Sequence, residues 1–236
     1  MNNSYYLLEY INKEKIGLDT FTFRFSRPKK FKFIPGQYTR IKLLNQNLPS
    51  YFFTLSSSPL DNTLTITTKI KHSSPFKQAL LSLKTGNKVN FENAQGEFIL
   101  DQKISTQVFL SGGIGITPFY SMLTYAYQTK LTNKLLLFAS FSKESEIIFY
   151  NKLTQIAKER NNIEVIYTVS RGLNTNKWKG EVGRVSKQLL KKHIKNLKVQ
   201  KYMLVGPSSM VIELEKVVAK MGVNDENIQI ETFLGY

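Results

Sequence analysis

Residues 111–118 read Ser-Gly-Gly-Ile-Gly-Ile-Thr-Pro, directly after the apolar run Val108, Phe109, Leu110 and directly before Phe119, Met122, Leu123, Tyr125 and Ala126 at helical spacing. Strand, glycine turn and helix in that order make a seat for a pyrophosphate. Glycines let a phosphate approach the main chain, and Thr117 and Pro118 open a helix whose free N–H groups and dipole favour an anion. Gly112, Gly113, Ile114, Gly115, Thr117 and Pro118 are therefore the first candidate binding residues. Taken alone, the segment serves equally well as a packing turn. Two more loops follow apolar runs in the same half: Ser170 to Gly172 after Val165 to Val169, and Gly206 to Met210 after Met203 to Val205. Each has a plain alternative, a turn at Gly206-Pro207 and a polar loop at Ser170-Arg171. If the strands are parallel, all three loops converge on one sheet edge and form a nucleotide site.

The elements that would position these loops change period along the chain. From Tyr5 to about Leu100 the apolar residues alternate, as in Phe21, Phe23, Phe25, then Thr39, Ile41, Leu43, then Leu64 and Ile66 with polar residues between, which predicts an antiparallel barrel or sandwich. From Gln107 onward, apolar strands at Val108–Leu110, Leu135–Phe138, Val165–Thr168, Met203–Val205 and Ile228–Ile230 alternate with helical stretches. Phe149, Leu153 and Ile156 mark one helix, and Met210, Leu214, Val217, Val218 and Met221 another. That pattern predicts a doubly wound parallel sheet. The boundary falls near Asp101 to Ser105, giving units of residues 1–102 and 103–236.

With 236 residues, 42% of them hydrophobic, the chain can bury a substantial core. It has no cysteine, which excludes disulfides, cysteine-held zinc, iron–sulfur clusters and thiol nucleophiles. Two histidines, His72 and His193, argue against a multi-histidine metal site, so no metal is expected. The opening MNNSYYLLEYINKEK lacks the layout of a secretion signal, and a cytoplasmic location is the expectation. Ile104 to Thr129 carries no charge, but its glycines, Pro118 and hydroxyls fit a buried strand, turn and inward-facing helix better than a membrane span. The net charge is +16, mostly from lysine. Two clusters, Arg24, Arg27, Lys29, Lys30, Lys32 and Lys187, Lys191, Lys192, Lys195, Lys198, Lys201, read as solvated faces, with nucleic acid, an acidic protein or an anionic membrane surface as the alternatives.

Four segments in register then carry a likeness. Pro35-Gly36-Gln37-Tyr38, Tyr51-Phe52-Phe53-Thr54-Leu55-Ser56-Ser57-Ser58-Pro59, Gly112 to Pro118, and Val205-Gly206-Pro207-Ser208-Ser209-Met210 resemble the PGQY, R-x-[YF]-[ST]-x-x-S-x-P, GGxGxTP and CGPxxM motifs of the ferredoxin-NADP reductase superfamily. Gly96-Glu97-Phe98 is similar to the G-x-F that ends its barrel. The resemblance covers almost the whole chain. It implies a flavin-binding antiparallel β-barrel followed by an NAD(P)-binding α/β domain, with hydride passing between the two cofactors. By this likeness Tyr38, Tyr51, Phe52, Phe53 and Thr54 line the flavin, Phe53 packing on the isoalloxazine and the Thr54 hydroxyl lying near N5. Lys69, Ile70, Lys71, Ser73, Ser74, Pro75 and Phe76 stand where the phosphate loop is expected, followed by a helix over Phe76 to Leu83. Gly206, Pro207, Ser208, Met210, Ser170 and Arg171 take the dinucleotide. Phe233, with Tyr236 second, covers the flavin face that nicotinamide must reach.

Two positions depart from the family pattern. Tyr51 replaces the arginine that opens the flavin strand, so a charge is exchanged for one hydrogen bond, and Arg40, Lys69 or Lys71 are the candidate substitutes. Val205 replaces the cysteine of CGPxxM beside the nicotinamide, keeping volume and losing the polarisable sulfur. Thr54, Val205 and Phe233 are the residues expected nearest the chemistry. Ser170-Arg171 after the third sheet strand favours NADPH over NADH, while Arg184 is expected to pair with Glu181. The resulting expectation is a stand-alone reductase holding FAD, with FMN as the alternative. It would pass electrons to an acidic ferredoxin- or flavodoxin-type protein, an oxygenase component or a small redox acceptor. A binding subunit without turnover, and a basic nucleic-acid or membrane-surface protein, are the rival readings.

Overall fold

The computed structural model describes residues 5–44, 47–171, 178–197 and 201–233. In the first half, β1 (Tyr6–Gly17), β2 (Thr20–Ser26), β3 (Tyr38–Leu43), β4 (Tyr51–Thr54), β5 (Thr63–Lys69) and β6 (Lys88–Phe91) form one antiparallel sheet in the order β4-β3-β6-β1-β2-β5. The Leu55–Ile66 bridge and the Ser56 N–H donating to the Thr65 carbonyl at 2.8 Å join its two edges, so the sheet closes into a barrel. The alternating residues point where their period requires: Phe23, Phe25, Ile41, Leu64 and Ile66 have no exposed surface. Phe25 meets Phe91 edge-on at 4.9 Å in the middle of that core. The short helix α1 (Pro75–Leu81) plugs one end and buries Phe76 and Leu80. It starts one residue before the expected Phe76 and stops at Leu81 rather than Leu83, because the Ser82 N–H turns back to the carbonyls of the last turn.

The second half holds β7 (Thr106–Gly112), α2 (Ile116–Gln128), β8 (Lys134–Phe141), α3 (Tyr150–Glu159), β9 (Ile163–Val169), β10 (Glu181–Val182), α4 (Lys187–His193), β11 (Lys201–Gly206), α5 (Ser208–Ala219) and β12 (Ile228–Thr232). Its six strands run parallel in the order β10-β9-β8-β7-β11-β12. Helices α2 and α3 bury Phe119, Met122, Leu153 and Ile156 on one face of the sheet, and α4 and α5 bury Leu190, Val211, Leu214 and Val218 on the other. Both faces being covered, β8 is buried along all but its first residue, which is why these strands read as continuous apolar runs. The strand order reverses between β7 and β11, so the crevice of the doubly wound sheet opens beyond Gly112 and Gly206.

The charge-free run 104–129 is explained by burial on two sides. Phe109 stacks on Phe119 at 4.6 Å beneath α2, while on the opposite side the buried Ser121 hydroxyl donates to the Ser57 carbonyl of the barrel at 2.6 Å. Among the described residues no helix is long and apolar enough to cross a membrane. Further bonds tie the halves together: Lys69 to Glu146 at 3.1 Å, Gln229 Nε2 to the Glu97 carbonyl at 2.7 Å, and Gln128 Nε2 to Asp61 Oδ1 at 2.8 Å.

Candidate functional site

Between the barrel and the carboxyl edge of the sheet, a cavity of about 280 Å³ is lined by Tyr38, Phe52, Phe53, Thr54, Thr67, Thr68, Lys77, Ile114, Thr117, Glu231, Thr232 and Phe233. Each wall comes from a different half. On the barrel side β4 pairs with β3, setting Thr54 opposite Tyr38, and Phe53 stacks on Phe76 at 5.7 Å and 22°. Tyr38 and Phe52 meet edge-on at 5.4 Å, with the Arg40 guanidinium 5.4 Å from the Phe52 ring centre. On the sheet side, Thr117 donates its hydroxyl hydrogen to the Ile114 carbonyl at 3.1 Å, which fixes the turn into α2. Gly113 has φ +54 and open space where a side chain would lie, leaving the turn's backbone accessible. Phe233 is held at the rim by its N–H donating to the Gly206 carbonyl at 3.2 Å.

Seven of the residues singled out in the sequence thus share one cavity: Tyr38, Phe52, Phe53, Thr54, Ile114, Thr117 and Phe233. Gly206 lies backbone to backbone with Gly112, and Met210 packs over Gly112, so the two glycine loops form one floor beside it. The exposed Pro207 and Ser208 open α5 at the same edge. Val205 is fully buried, its carbonyl under Gly115, and its side chain supports the turn from the core rather than facing the cavity. Ser170 and the exposed Arg171 follow β9, anchored by N–H donation to the Phe141 and Ser142 carbonyls at 3.1 and 2.9 Å. Gly172 and Tyr236 lie outside the described residues.

The segment proposed to hold phosphate takes several places. Ile70 and Phe76 belong to the barrel core, Tyr51 sits edge-on against Phe76 at 4.9 Å, and Lys69 is committed to Glu146. Lys71 and Ser73 are exposed, Pro75 begins α1, and Ser74 caps it, accepting from the Lys77 N–H at 3.4 Å. Arg40 is turned toward Glu92 at 3.8 Å. The expected Arg184–Glu181 pair is corrected: Arg184 bonds Glu213 at 2.6 Å, while Glu181 is held by Lys192 at 2.6 Å. Two members of the first basic cluster are structural, Arg27 donating to the Pro59 and Asp61 carbonyls and Arg24 to the Thr63 hydroxyl.

Two charged residues of the cavity had been given no role from the sequence. Glu231 on β12 has a buried Oε2 with no hydrogen-bond partner, and burial pushes its carboxyl up to about 7. Lys77 is 7% exposed, and burial, aided by nearby Lys71, pulls its ammonium down to about 8. The signal available for Lys77 was its placement between Phe76 and Leu80 on the inward side of α1; for Glu231 it was its position two residues before Phe233. Among the described residues no group of three or more His, Cys, Asp or Glu side chains is placed to hold a metal.

Comparison with known proteins bears on the two domains and the fold. A FAD-binding domain model matches residues 8–116, and an oxidoreductase NAD-binding domain model matches residues 109–216. One subunit of the Na(+)-translocating NADH-quinone reductase of Actinobacillus pleuropneumoniae is 28% identical over 158 residues, covering 65% of this chain and 39% of that protein. Flavohemoprotein A of Dictyostelium discoideum is 29% identical over 219 residues, covering 85% of this chain and 52% of its own length. The chain therefore spans about two fifths to one half of these relatives. Among solved structures, the Neisseria gonorrhoeae ferredoxin NADP+ reductase with bound FAD and NADP superposes with a TM-score of 0.83 at 20% identity, covering 98% of this chain and 99% of that one. The Amycolatopsis cytochrome P450 reductase GcoB superposes with a TM-score of 0.85 at 16% identity, covering 99% and 71%. With both domain models in order along the chain and this two-domain fold, the protein belongs to the ferredoxin-NADP reductase family of flavin and NAD(P) oxidoreductases.

Proposed function

We propose that this chain is an NAD(P)H-dependent flavoprotein reductase that holds FAD in the unit of residues 1–102, NADPH in the unit of residues 103–236, and passes electrons to a separate acceptor. The observation that carries the reading is the two-walled cavity, with aromatic and hydroxyl side chains of β3, β4 and β5 facing the glycine turn and Phe233. The residues present suit a flavin. A planar ring needs a flat apolar wall, supplied by Phe53 over Phe76, and polar edges, supplied by Thr54, Thr67 and Thr68. The accessible backbone at Gly113 offers an approach for a phosphate, and the buried Glu231 oxygen can accept a hydrogen bond from a nucleotide.

When bound, the flavin supplies the redox chemistry by taking a hydride from the reduced nicotinamide and releasing electrons onward. The chain's part is positioning and exclusion of water. Phe53 and Thr54 would hold the flavin ring from the barrel side, Phe233 would shield it from water at the rim, and Ile114 with Thr117 would support the dinucleotide from the glycine turn. Arg171 is the clamp for a 2′-phosphate, which supports NADPH over NADH. A net charge of +16 suits an acidic partner such as a ferredoxin- or flavodoxin-type protein, since opposite charge speeds encounter.

The test is an anaerobic absorbance titration of the FAD-loaded chain. Bleaching of the visible flavin bands by NADPH at lower concentration than NADH supports the proposal. Flavin that stays bound and coloured with both nucleotides turns the protein into a binding subunit without turnover.

A further inference from the structure

Lys77 has no assigned task, and its environment is unusual for a lysine. It sits at the third position of α1, where Pro75 and Phe76 fix the start of the helix and Leu80 anchors the same turn in the barrel core. Its side chain is 7% exposed and lines the cavity beside Phe53, Thr54, Thr67 and Thr68. No carboxylate pairs with it among the described residues. Burying an ammonium with no counter-charge is costly, so a lysine kept there without a partner inside the chain calls for an anion from outside it. The other cations near the barrel mouth are engaged: Arg40 with Glu92 and the Phe52 ring, Lys69 with Glu146. Tyr51, at the head of the flavin strand, brings no charge and leans its ring on Phe76, the residue next to Lys77.

Resting on the flavin reading above, we propose that Lys77 is the cation that binds the flavin's 5′-phosphate, taking over from inside α1 the charge neutralisation that Tyr51 cannot supply. The phosphate is shared by FAD and FMN and absent from riboflavin, so affinity for the first two should depend on Lys77 and affinity for the third should not. Of the titratable groups around it, Lys71 from the segment before α1 acts on the ammonium, while Tyr38 from β3 and Glu231 from β12 line the same cavity without pairing with it. With the lysine held near 8 before binding, an arriving phosphate restores the proton, and flavin binding near pH 8 takes up roughly half a proton.

The experiment is calorimetric titration of the full chain with FAD, FMN, riboflavin and inorganic pyrophosphate, in two buffers of different ionisation enthalpy, for the parent, Lys77→Met and Lys77→Arg. Removing a buried charge should leave the methionine variant at least as stable as the parent, which a urea midpoint verifies. The expected result is a 30- to 100-fold loss of FAD and FMN affinity in Lys77→Met, a riboflavin Kd within about twofold of the parent's, recovery to within about fivefold in Lys77→Arg, and loss of the proton uptake. FAD and riboflavin weakened equally in Lys77→Met would make Lys77 a packing residue and overturn the proposal while leaving the flavin reading intact. Binding of pyrophosphate through Lys77 with no affinity for any flavin would instead overturn the flavin reading and this assignment with it.

Discussion

Glu231 makes the protein's stability fall as pH rises through the mildly acidic range, and Glu231→Gln should remove that fall. The carboxyl ordinarily titrates at 4.5, and burial in the cavity wall raises it to about 7. Below pH 4.5 the folded and unfolded chains both hold the proton, and the group contributes no difference. Between 4.5 and 7 the unfolded chain ionises first, so the folded state binds more protons and its stability declines with rising pH; above 7 the full penalty is in place. The gap between the two values corresponds to about 3 kcal/mol. Glutamine keeps the shape and cannot ionise, so any fixed cost of its buried amide is the same at every pH. Urea unfolding of the flavin-free protein at pH 4.5, 5.5, 6.5 and 7.5 should show the variant gaining on the parent by about 3 kcal/mol across the series. A difference that stays constant, or that shrinks as pH rises, refutes the burial argument for this carboxyl.

Gly36 has φ +104, and a Cβ there would overlap the Phe98 carbonyl oxygen, so Gly36→Ala should lower stability by about 2 kcal/mol or more, read from the urea midpoint. Ser121→Ala leaves the buried Ser57 carbonyl without its 2.6 Å partner across the domain seam and should cost about 1–3 kcal/mol in the same assay. Arg171→Asp should raise KM for NADPH far more than for NADH in steady-state reductase assays; equal effects on both would remove Arg171 from phosphate recognition.

Much of the architecture was legible because burial on both faces leaves a plain trace. β7, β8 and β11 read as unbroken apolar runs, and Gly112 to Pro118 marked the turn between strand and helix. The barrel strands were legible through Phe23, Phe25, Ile41 and Ile66 at period two. The same rule misleads at β5, where Thr65 and Thr67 alternate with Leu64 and Ile66 as solvent-facing hydroxyls would, and Thr68 follows. All three are buried, Thr65 and Thr67 bonding the Ser56 hydroxyl at 2.9 and 3.0 Å, because the second domain covers the barrel there. Only assembly of the two halves reveals that cover. Lys77 and Glu231 were hidden for the same reason, since a single charge in a local window looks solvated until a distant segment closes over it. β10, two residues long with Val182 69% exposed, is set by pairing to Val169 rather than by any pattern of its own. Arg184 chose Glu213, 29 positions away, over the neighbouring Glu181, a choice that sequence proximity cannot express.

Phe98 and Leu100 precede the connector between the two halves, yet their side chains are packed into the core formed by β7, β8 and α2, with Phe98 5.7 Å from Phe119. A fragment beginning at residue 103 would start life with a hole in its interior, and a barrel ending at 102 would carry two greasy side chains into water. Heat should therefore melt the molecule in a single calorimetric peak, and neither piece should be recoverable as a well-behaved protein when expressed by itself.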